Sequence, residues 1–160
     1  MTTQTGPLLL TALALALGLP LAEGAAEHPQ ERSYVAPPGP AGVPLGQSAA
    51  VRTGNTLYLA GHVGLDPLTG EVPAQRALEA RLLMQAVEHT VVAAGLRMDD
   101  VVSVTVFSTD STSDETFNAV YQGYFHGHLP ARAVVGASRL ARGAHFELSA
   151  VAVRPPHLQL

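Results

Sequence analysis

The stretch FELSAVAV, Phe146–Val153, consists almost entirely of small, aliphatic and β-branched residues, which predicts a β-strand. A second stretch with the same character, PARAV, spans Pro130–Val134. Each stretch carries one charged residue, Glu147 in the first and Arg132 in the second. Charged side chains are rarely buried unless they are paired or used. These two residues are therefore the first candidates for a functional site.

The connection between the two predicted strands contains the turn RLARG, Arg139–Gly143, and is short enough for the strands to pair. Pairing is expected to bring Arg132 and Glu147 to one pocket. A guanidinium there binds a carboxylate through two parallel hydrogen bonds, and a carboxylate beside it activates a water molecule. A structural ion pair, or two charges at a sheet edge, is the alternative interpretation of the same residues.

Further elements are predicted on the N-terminal side of these strands. Gly54-Asn55 is typical of a two-residue hairpin, and Asp66–Gly70 has the composition of a turn. Helical periodicity runs from Arg76 to Ala94, before Gly95. A strand at Val101–Phe107 and a helix at Ser113–Phe125 follow. The resulting order, ββαβαββ, predicts an α+β two-layer sandwich, a mixed sheet with two helices on one face.

Four blocks of this sequence, in this order, resemble the RidA (YjgF) family of reactive-intermediate deaminases. They are Gly54–Val72, the segment from Ala93-Ala94-Gly95 to Asp99–Phe107, Phe117–Tyr121 and Pro130-Ala131-Arg132. The resemblance extends from about Ser48 to Val153, nearly the whole chain after its N-terminal segment. It implies a chorismate-mutase-like fold and a homotrimer with ligand clefts between neighbouring subunits.

The resemblance also implies roles for individual residues. Arg132 matches the arginine that binds the substrate carboxylate, and Glu147 matches the glutamate that directs the hydrolytic water. Gly61 matches a glycine whose backbone lies against the ligand. The implied reaction needs no cofactor: it is the hydrolysis of a small 2-imino or enamine acid to a 2-keto acid and ammonia.

The remaining candidate substrate-binding residues are less well defined. Asn118 matches an asparagine near the pocket, although a solvated or locally hydrogen-bonded helix residue is an equal alternative. Backbone amides near Gly61 and Val134 are candidates for holding the ligand. This chain departs from the family pattern in having Gln47 where a tyrosine is usual, Ala60 for a serine, His62 for a glutamine, and Val134 for a cysteine. His62 is either a proton shuttle or a packed histidine at a strand end.

The composition excludes several other classes of function. The chain has 160 residues, 47% of them hydrophobic and 14% charged, which predicts one packed domain. Its net charge is -4, and all nine basic residues are scattered arginines, so a nucleic-acid-binding surface is not expected. Without cysteine there is no disulfide or thiolate site. His126 and His128 lie two residues apart without an evident third ligand, so no metal is expected.

Four regions are predicted along the chain. Residues 1–26 resemble a signal peptide with an apolar core at Pro7–Leu21, although no basic residue precedes that core. Residues 27–45 are rich in proline and glycine and are expected to form a tether. Residues 46–154 form the RidA-like domain, and 155–160 a tail. Export, to a periplasm, is the expectation, with no membrane span in the mature protein; the alternative is a cytoplasmic protein with an uncleaved hydrophobic tail.

Two other functions compete with imine deamination. The first is a trimeric protein that binds or senses small carboxylates without catalysis, which the altered lining residues and the signal-like segment favour. The second is the endoribonuclease activity that is also attached to this family. The absence of a basic stripe with interleaved aromatic residues disfavours that activity.

Overall fold

The computed structural model describes residues 31–36, 46–110 and 114–155. They form a mixed six-stranded sheet with two α-helices on one face, which confirms the predicted α+β two-layer sandwich. The helices are α1 (Arg76–Ala93) and α2 (Asp114–Gln122). The strands are β1 (Arg32–Val35), β2 (Ala50–Thr53), β3 (Thr56–Val63), β4 (Val101–Ser108), β5 (Ala131–Gly136) and β6 (Phe146–Val153).

The strands lie in the order β1-β2-β3-β6-β4-β5, with β4 and β5 parallel and every other pair antiparallel. The expected pairing of the PARAV strand with the FELSAVAV strand is therefore wrong, because β4 lies between β5 and β6. The physical reason is the crossover. Helix α2 returns the chain to the same end of the sheet, so that β5 pairs in parallel with β4.

Strand β1 was not expected. Arg32–Val35 falls within the segment 27–45 that was predicted to be a tether, and it pairs with β2 at the sheet edge. Its four residues are exposed or half-buried, so it contributes backbone hydrogen bonds rather than core packing. The prediction of a tether is wrong for these residues, and 37–45 lie outside the described part of the chain.

The core lies between the sheet and the helices. Alternate residues of the strands are buried against the helices, as the period of two requires. The predicted helix from Arg76 to Ala94 is confirmed to within one residue, and Gly95 follows it with φ of 73°. The predicted hairpin at Gly54-Asn55 and the turn at Asp66–Gly70 are also present. The largest side chains of this core are Leu57, Leu83, Met84, Phe117, Tyr121, Phe146 and Leu148.

Two of the predicted regions cannot be placed. The signal-like segment at 1–26 and residues 156–160 of the tail lie outside the described residues. Within the described ranges, neither helix is both long and apolar enough to cross a membrane.

Candidate active site

Glu147 lies on the face of the sheet that α1 and α2 do not cover, called the open face below. Its neighbours Phe146 and Leu148 are buried in the core, so alternation directs Glu147 to the opposite side. It pairs with Val63 of β3 and Phe107 of β4. The carboxylate is half-buried, which keeps it within reach of a ligand on the open face.

The backbone of Gly61 lies directly beneath this carboxylate. A Cβ atom added at Gly61 would overlap Glu147 Oε1 and lie 3.0 Å from its Cδ. Only glycine therefore leaves room for the carboxylate at this point. Gly61 and Glu147, both candidates from the sequence, are thus in contact within one chain.

Gln47 lies at the same end of the sheet as these two residues. It is exposed, in a bend that leads to Ala49. The amide of Ala60 donates a hydrogen bond to the carbonyl of Ala49 over 2.9 Å, so the segment that follows Gln47 runs alongside the strand carrying Gly61. Gln47 precedes Ala49 by two residues, and its role as a substrate-binding residue stays a prediction.

Arg132 lies on β5 and is held by side chains of α2. Its Nη1 donates a hydrogen bond to Asn118 Oδ1 over 2.6 Å. Its Cζ lies 5.3 Å from the ring centroid of Phe117 and 4.8 Å from that of Tyr121. Stacking on two rings and one charge-assisted hydrogen bond fix the guanidinium against the helix. Asn118 therefore contacts the arginine and is not a solvated helix residue.

Two polar atoms beside this guanidinium have no hydrogen-bond partner among the described residues. They are Arg132 Nε and Tyr121 Oη, both buried. Burial raises the pKa of the Tyr121 hydroxyl above 10.0, and the charge of Arg132 partly opposes this shift. Both are donors at neutral pH, so the region around Arg132 retains capacity to bind an oxygen atom of a ligand or of water.

The structure does not bring Arg132 and Glu147 to one pocket within a single chain. Arg132 is in register with Val104, and Val104 with Ala150 in the core. Glu147 lies three residues from Ala150, an odd number, so the two charged side chains leave opposite faces of the sheet. The two backbones are separated by two strand spacings across the sheet, about 10 Å, and by three residues along the strands, again about 10 Å.

His62 and Val134 occupy different environments from each other. Val134 is 50% exposed on the edge strand β5, two residues beyond Arg132. His62 is only 8% exposed, and its ring lies between the sheet and α1. There Nδ1 contacts the Ala60 carbonyl at 2.8 Å and Nε2 contacts Thr90 Oγ1 at 2.9 Å.

The expectation that His62 binds substrate is therefore wrong for this chain. The reason is an irregularity of the β3–β6 register between Leu59 and His62, which turns His62 toward the helices and Gly61 away from them. Burial lowers the pKa of the His62 ring below its ordinary value of 6.5, although its hydrogen bond to Ala60 acts in the opposite direction. The packed-histidine interpretation describes this residue.

Two residues near Glu147 were missed by sequence reasoning. Glu79, in the first turn of α1, is fully buried, and its Oε2 lies 2.7 Å from Nδ1 of His145. Its Oε1 accepts hydrogen bonds from the amides of His145 and Phe146. The sequence signal for Glu79 was its position on the apolar face of α1, in line with Leu83 and Val87. Among the described residues, no group of three or more His, Asp or Glu side chains is arranged to hold a metal ion.

Comparison with known proteins agrees with this fold and these motifs. The model of the family described as Endoribonuclease L-PSP matches residues 43–154. The chain belongs to this family, which is the RidA (YjgF) family that its sequence resembles. A relative from Mus musculus, named 2-iminobutanoate/2-iminopropanoate deaminase, is 38% identical over 113 residues, 70% of this chain and 84% of the relative. The protein of the same name from Escherichia coli K12 is 40% identical over 107 residues, 65% of this chain and 84% of that protein.

Solved structures share the architecture. The YjgF gene product of Escherichia coli superposes with a TM-score of 0.70 at 34% identity, covering 77% of this chain and 98% of that one. TdcF from Escherichia coli, solved with bound serine, superposes with a TM-score of 0.67 at 34% identity and covers 80% of this chain and 99% of that one. Both alignments span nearly the whole length of the solved chains.

Proposed function

We propose that this protein hydrolyses small 2-imino or enamine acids to 2-keto acids and ammonia. The observation that carries the proposal is the contact between the Glu147 carboxylate and the bare backbone of Gly61, because it places a base next to a surface that a planar ligand can approach closely. The names of the relatives from mouse and Escherichia coli support the same reaction. TdcF, solved with bound serine, supports a ligand of amino-acid size.

The proposed reaction begins when the guanidinium of Arg132 binds the substrate carboxylate through two hydrogen bonds. Glu147 accepts a proton from water as the water oxygen adds to the carbon of the protonated imine. This forms a carbinolamine. The proton on Glu147 then passes to the amine nitrogen, the C–N bond breaks, and the hydroxyl proton passes to solvent as the carbonyl forms. This release balances the proton that the imine takes up from solvent at the start. One imine and one water give one 2-keto acid and one ammonia, with no net change of oxidation state and without a cofactor.

We further propose that Arg132 and Glu147 meet between neighbouring subunits of a homotrimer. The support is geometric: within one chain the two side chains leave opposite faces of the sheet. In addition, β5 is an edge strand with Val134 and Val135 exposed at 50% and 41%, and edge strands with apolar side chains favour association. A second copy against this edge supplies the missing half of each site.

The test uses residues 26–160 and 2-iminopropanoate generated in situ by an amino-acid oxidase. The remaining imine is trapped with semicarbazide, and its decay is compared for wild type and Arg132→Ala. We expect wild type to accelerate the decay and the folded Arg132→Ala variant to lose this effect. Full activity of the folded variant would contradict the role of Arg132.

The second candidate, non-catalytic binding of small carboxylates, makes a different prediction in the same experiment. A ligand that binds the folded protein raises its melting temperature even where no turnover occurs. A rise in melting temperature with pyruvate or serine, without any acceleration of imine decay, would favour that candidate over deamination.

A further inference from the structure

The fully buried carboxylate of Glu79 connects α1 to the start of β6. Its Oε1 accepts hydrogen bonds from the amide of His145 at 2.6 Å and from the amide of Phe146 at 3.0 Å. Its Oε2 lies 2.7 Å from Nδ1 of the His145 ring. Three donors on two oxygens compensate the cost of burying this group and fix its position. Glu147 is the next residue along the strand after Phe146.

The same turn of α1 also fixes the end of β3. A Cβ atom added at Gly64 would overlap the backbone carbonyl oxygen of Glu79 and lie 2.9 Å from its carbonyl carbon. Gly64 follows Gly61 by three residues. Glu79 thus contacts β6 through its side chain, and its backbone packs against Gly64, the residue that follows β3.

We propose that Glu79, together with His145, positions Glu147 for the activation of water. This inference rests on the proposed function and assigns Glu79 and His145 as positioning residues, since neither side chain is shown to touch Glu147. The hydrogen bonds from Glu79 determine where β6 begins, and the position of the Phe146 amide determines the height of the Glu147 carboxylate above Gly61. A carboxylate does this better than an apolar side chain of equal size because it binds two consecutive backbone amides.

The position of Arg132 makes the inference specific. Arg132 is fixed by α2 and leaves the other face of the sheet, so a shift of the β6 start does not alter the group that binds the substrate carboxylate. Loss of the Glu79 contacts is therefore expected to lower kcat and to leave KM nearly unchanged. If Glu79 served only in folding, its variants would lower the fraction of active protein in proportion to their loss of stability. Retention of the amide hydrogen bonds in Glu79→Gln would then not restore kcat in the folded protein.

The experiment compares Glu79→Ala, Glu79→Gln and His145→Ala by steady-state deamination of 2-iminopropanoate. Thr90→Val is the matched control, because Thr90 is a buried, hydrogen-bonded residue of the same helix that does not contact β6 in this way. We expect kcat of Glu79→Ala to fall about 10- to 100-fold, the size of loss that a misplacement of about 1 Å produces. Glu79→Gln keeps an oxygen for the two amides and is expected to retain kcat within about threefold of wild type.

His145→Ala keeps both backbone hydrogen bonds and removes only the ring contact, so its kcat is expected to lie between those of Glu79→Gln and Glu79→Ala. It also serves as the second variant if Glu79→Ala does not fold. The inference would be overturned if His145→Ala and Glu79→Gln both had the same kcat as the control Thr90→Val. An increase in KM at unchanged kcat would also overturn it.

A readout without turnover separates this inference from the proposed function. Inactive, folded wild type would contradict the proposed deamination, and the position of Glu147 is then followed at one fixed pH by the NMR chemical shifts of its backbone amide and its side-chain carboxyl carbon. We expect these Glu147 shifts to differ from wild type in Glu79→Ala or, if that variant does not fold, in His145→Ala, and to remain at their wild-type values in Thr90→Val. Unchanged Glu147 shifts in the folded Glu79 or His145 variant would overturn the positioning role regardless of activity.

Discussion

The two charged residues of the candidate site are held in different ways. Glu147 stands over the backbone of Gly61, and the contact depends on a missing side chain. Arg132 is held by three side chains of α2, which supply one hydrogen bond and two aromatic rings. The first half of the site is built by the sheet and the second by a helix, on opposite faces. Within one chain, Arg132 and Glu147 therefore do not share one pocket.

The largest expected effect comes from removing the proposed base while Arg132 is left in place. Glu147→Gln keeps the shape of the side chain but cannot accept the proton of water. We expect kcat to fall about 10²- to 10⁴-fold, the usual contribution of a general base, with KM little changed. Steady-state kinetics measure both constants. The control is Glu88→Gln, an exposed glutamate of α1, which is expected to behave as wild type.

Two glycines near the end of β3 test how the close packing around Glu147 is used. An alanine at Gly61 meets the movable carboxylate of Glu147, whereas an alanine at Gly64 meets the backbone of α1. Gly61→Ala is expected to lower kcat by at least about 10-fold with little loss of stability, because it displaces the carboxylate of the proposed base. Gly64→Ala is expected to lower the free energy of unfolding by about 1–3 kcal/mol, the usual cost of overpacking.

Chemical denaturation and steady-state kinetics of both glycine variants provide the measurement. A stable, fully active Gly61→Ala protein would show that the contact between Glu147 and Gly61 is not used in turnover. Equal loss of stability in the two variants would contradict the distinction between a flexible and a rigid neighbour.

Asn118 tests the Arg132 half. Removing its oxygen in Asn118→Ala frees the guanidinium, and we expect KM to rise about 10-fold, since a hydrogen bond to a charged group contributes about 1.5–3 kcal/mol. Asn118→Asp is the matched variant of equal size. Its carboxylate competes with the substrate for Arg132, so its KM is expected to exceed that of Asn118→Ala. A lower KM in Asn118→Asp would contradict the assignment of Arg132 as the carboxylate-binding group.

Much of the fold was predictable from local patterns. The periodicity of α1 and the hairpin at Gly54-Asn55 follow from contacts within a few residues, and the structure contains both. The order of the strands was not predictable from local patterns, because the position of β6 between β3 and β4 depends on the packing of distant segments. The strand at Arg32–Val35 was missed for a similar reason, since it pairs only through the edge of β2.

The candidate site was predictable in its residue types but not in its arrangement. Gly61 and Glu147, which the family resemblance names for separate roles, lie in contact in the structure, and those roles stay predictions. The orientation of His62 was not evident, because a single irregularity in register reverses which residues of β3 face the core. The position of Glu79 on the apolar side of α1 is evident from the sequence, but its role was not, because the backbone amides that it binds lie on a distant strand.

The smallest expected effect concerns the core histidine. The folded-state pKa of His62 lies below 6.5, the ordinary value that applies to the unfolded chain, so the unfolded state binds a proton more readily. The contribution of neutral His62 to the free energy of unfolding is complete above about pH 6.5. It declines as the pH falls toward the folded-state pKa, by at most about 1.4 kcal/mol per pH unit. Melting temperatures of wild type and His62→Gln between about pH 5 and 8 measure the difference. Parallel curves would contradict the lowered pKa.

Each site is proposed to combine Arg132 of one subunit with Glu147 of its neighbour. Subunit mixing tests this arrangement: purified Arg132→Ala and Glu147→Gln, each expected to be inactive alone, are unfolded together in equal amounts and refolded. If a site combines two subunits, random mixing leaves both functional residues in about one quarter of the sites of a cyclic trimer. The account predicts that deamination of 2-iminopropanoate recovers to about one quarter of the refolded wild type. No recovery in mixed trimers that have demonstrably exchanged subunits would contradict it.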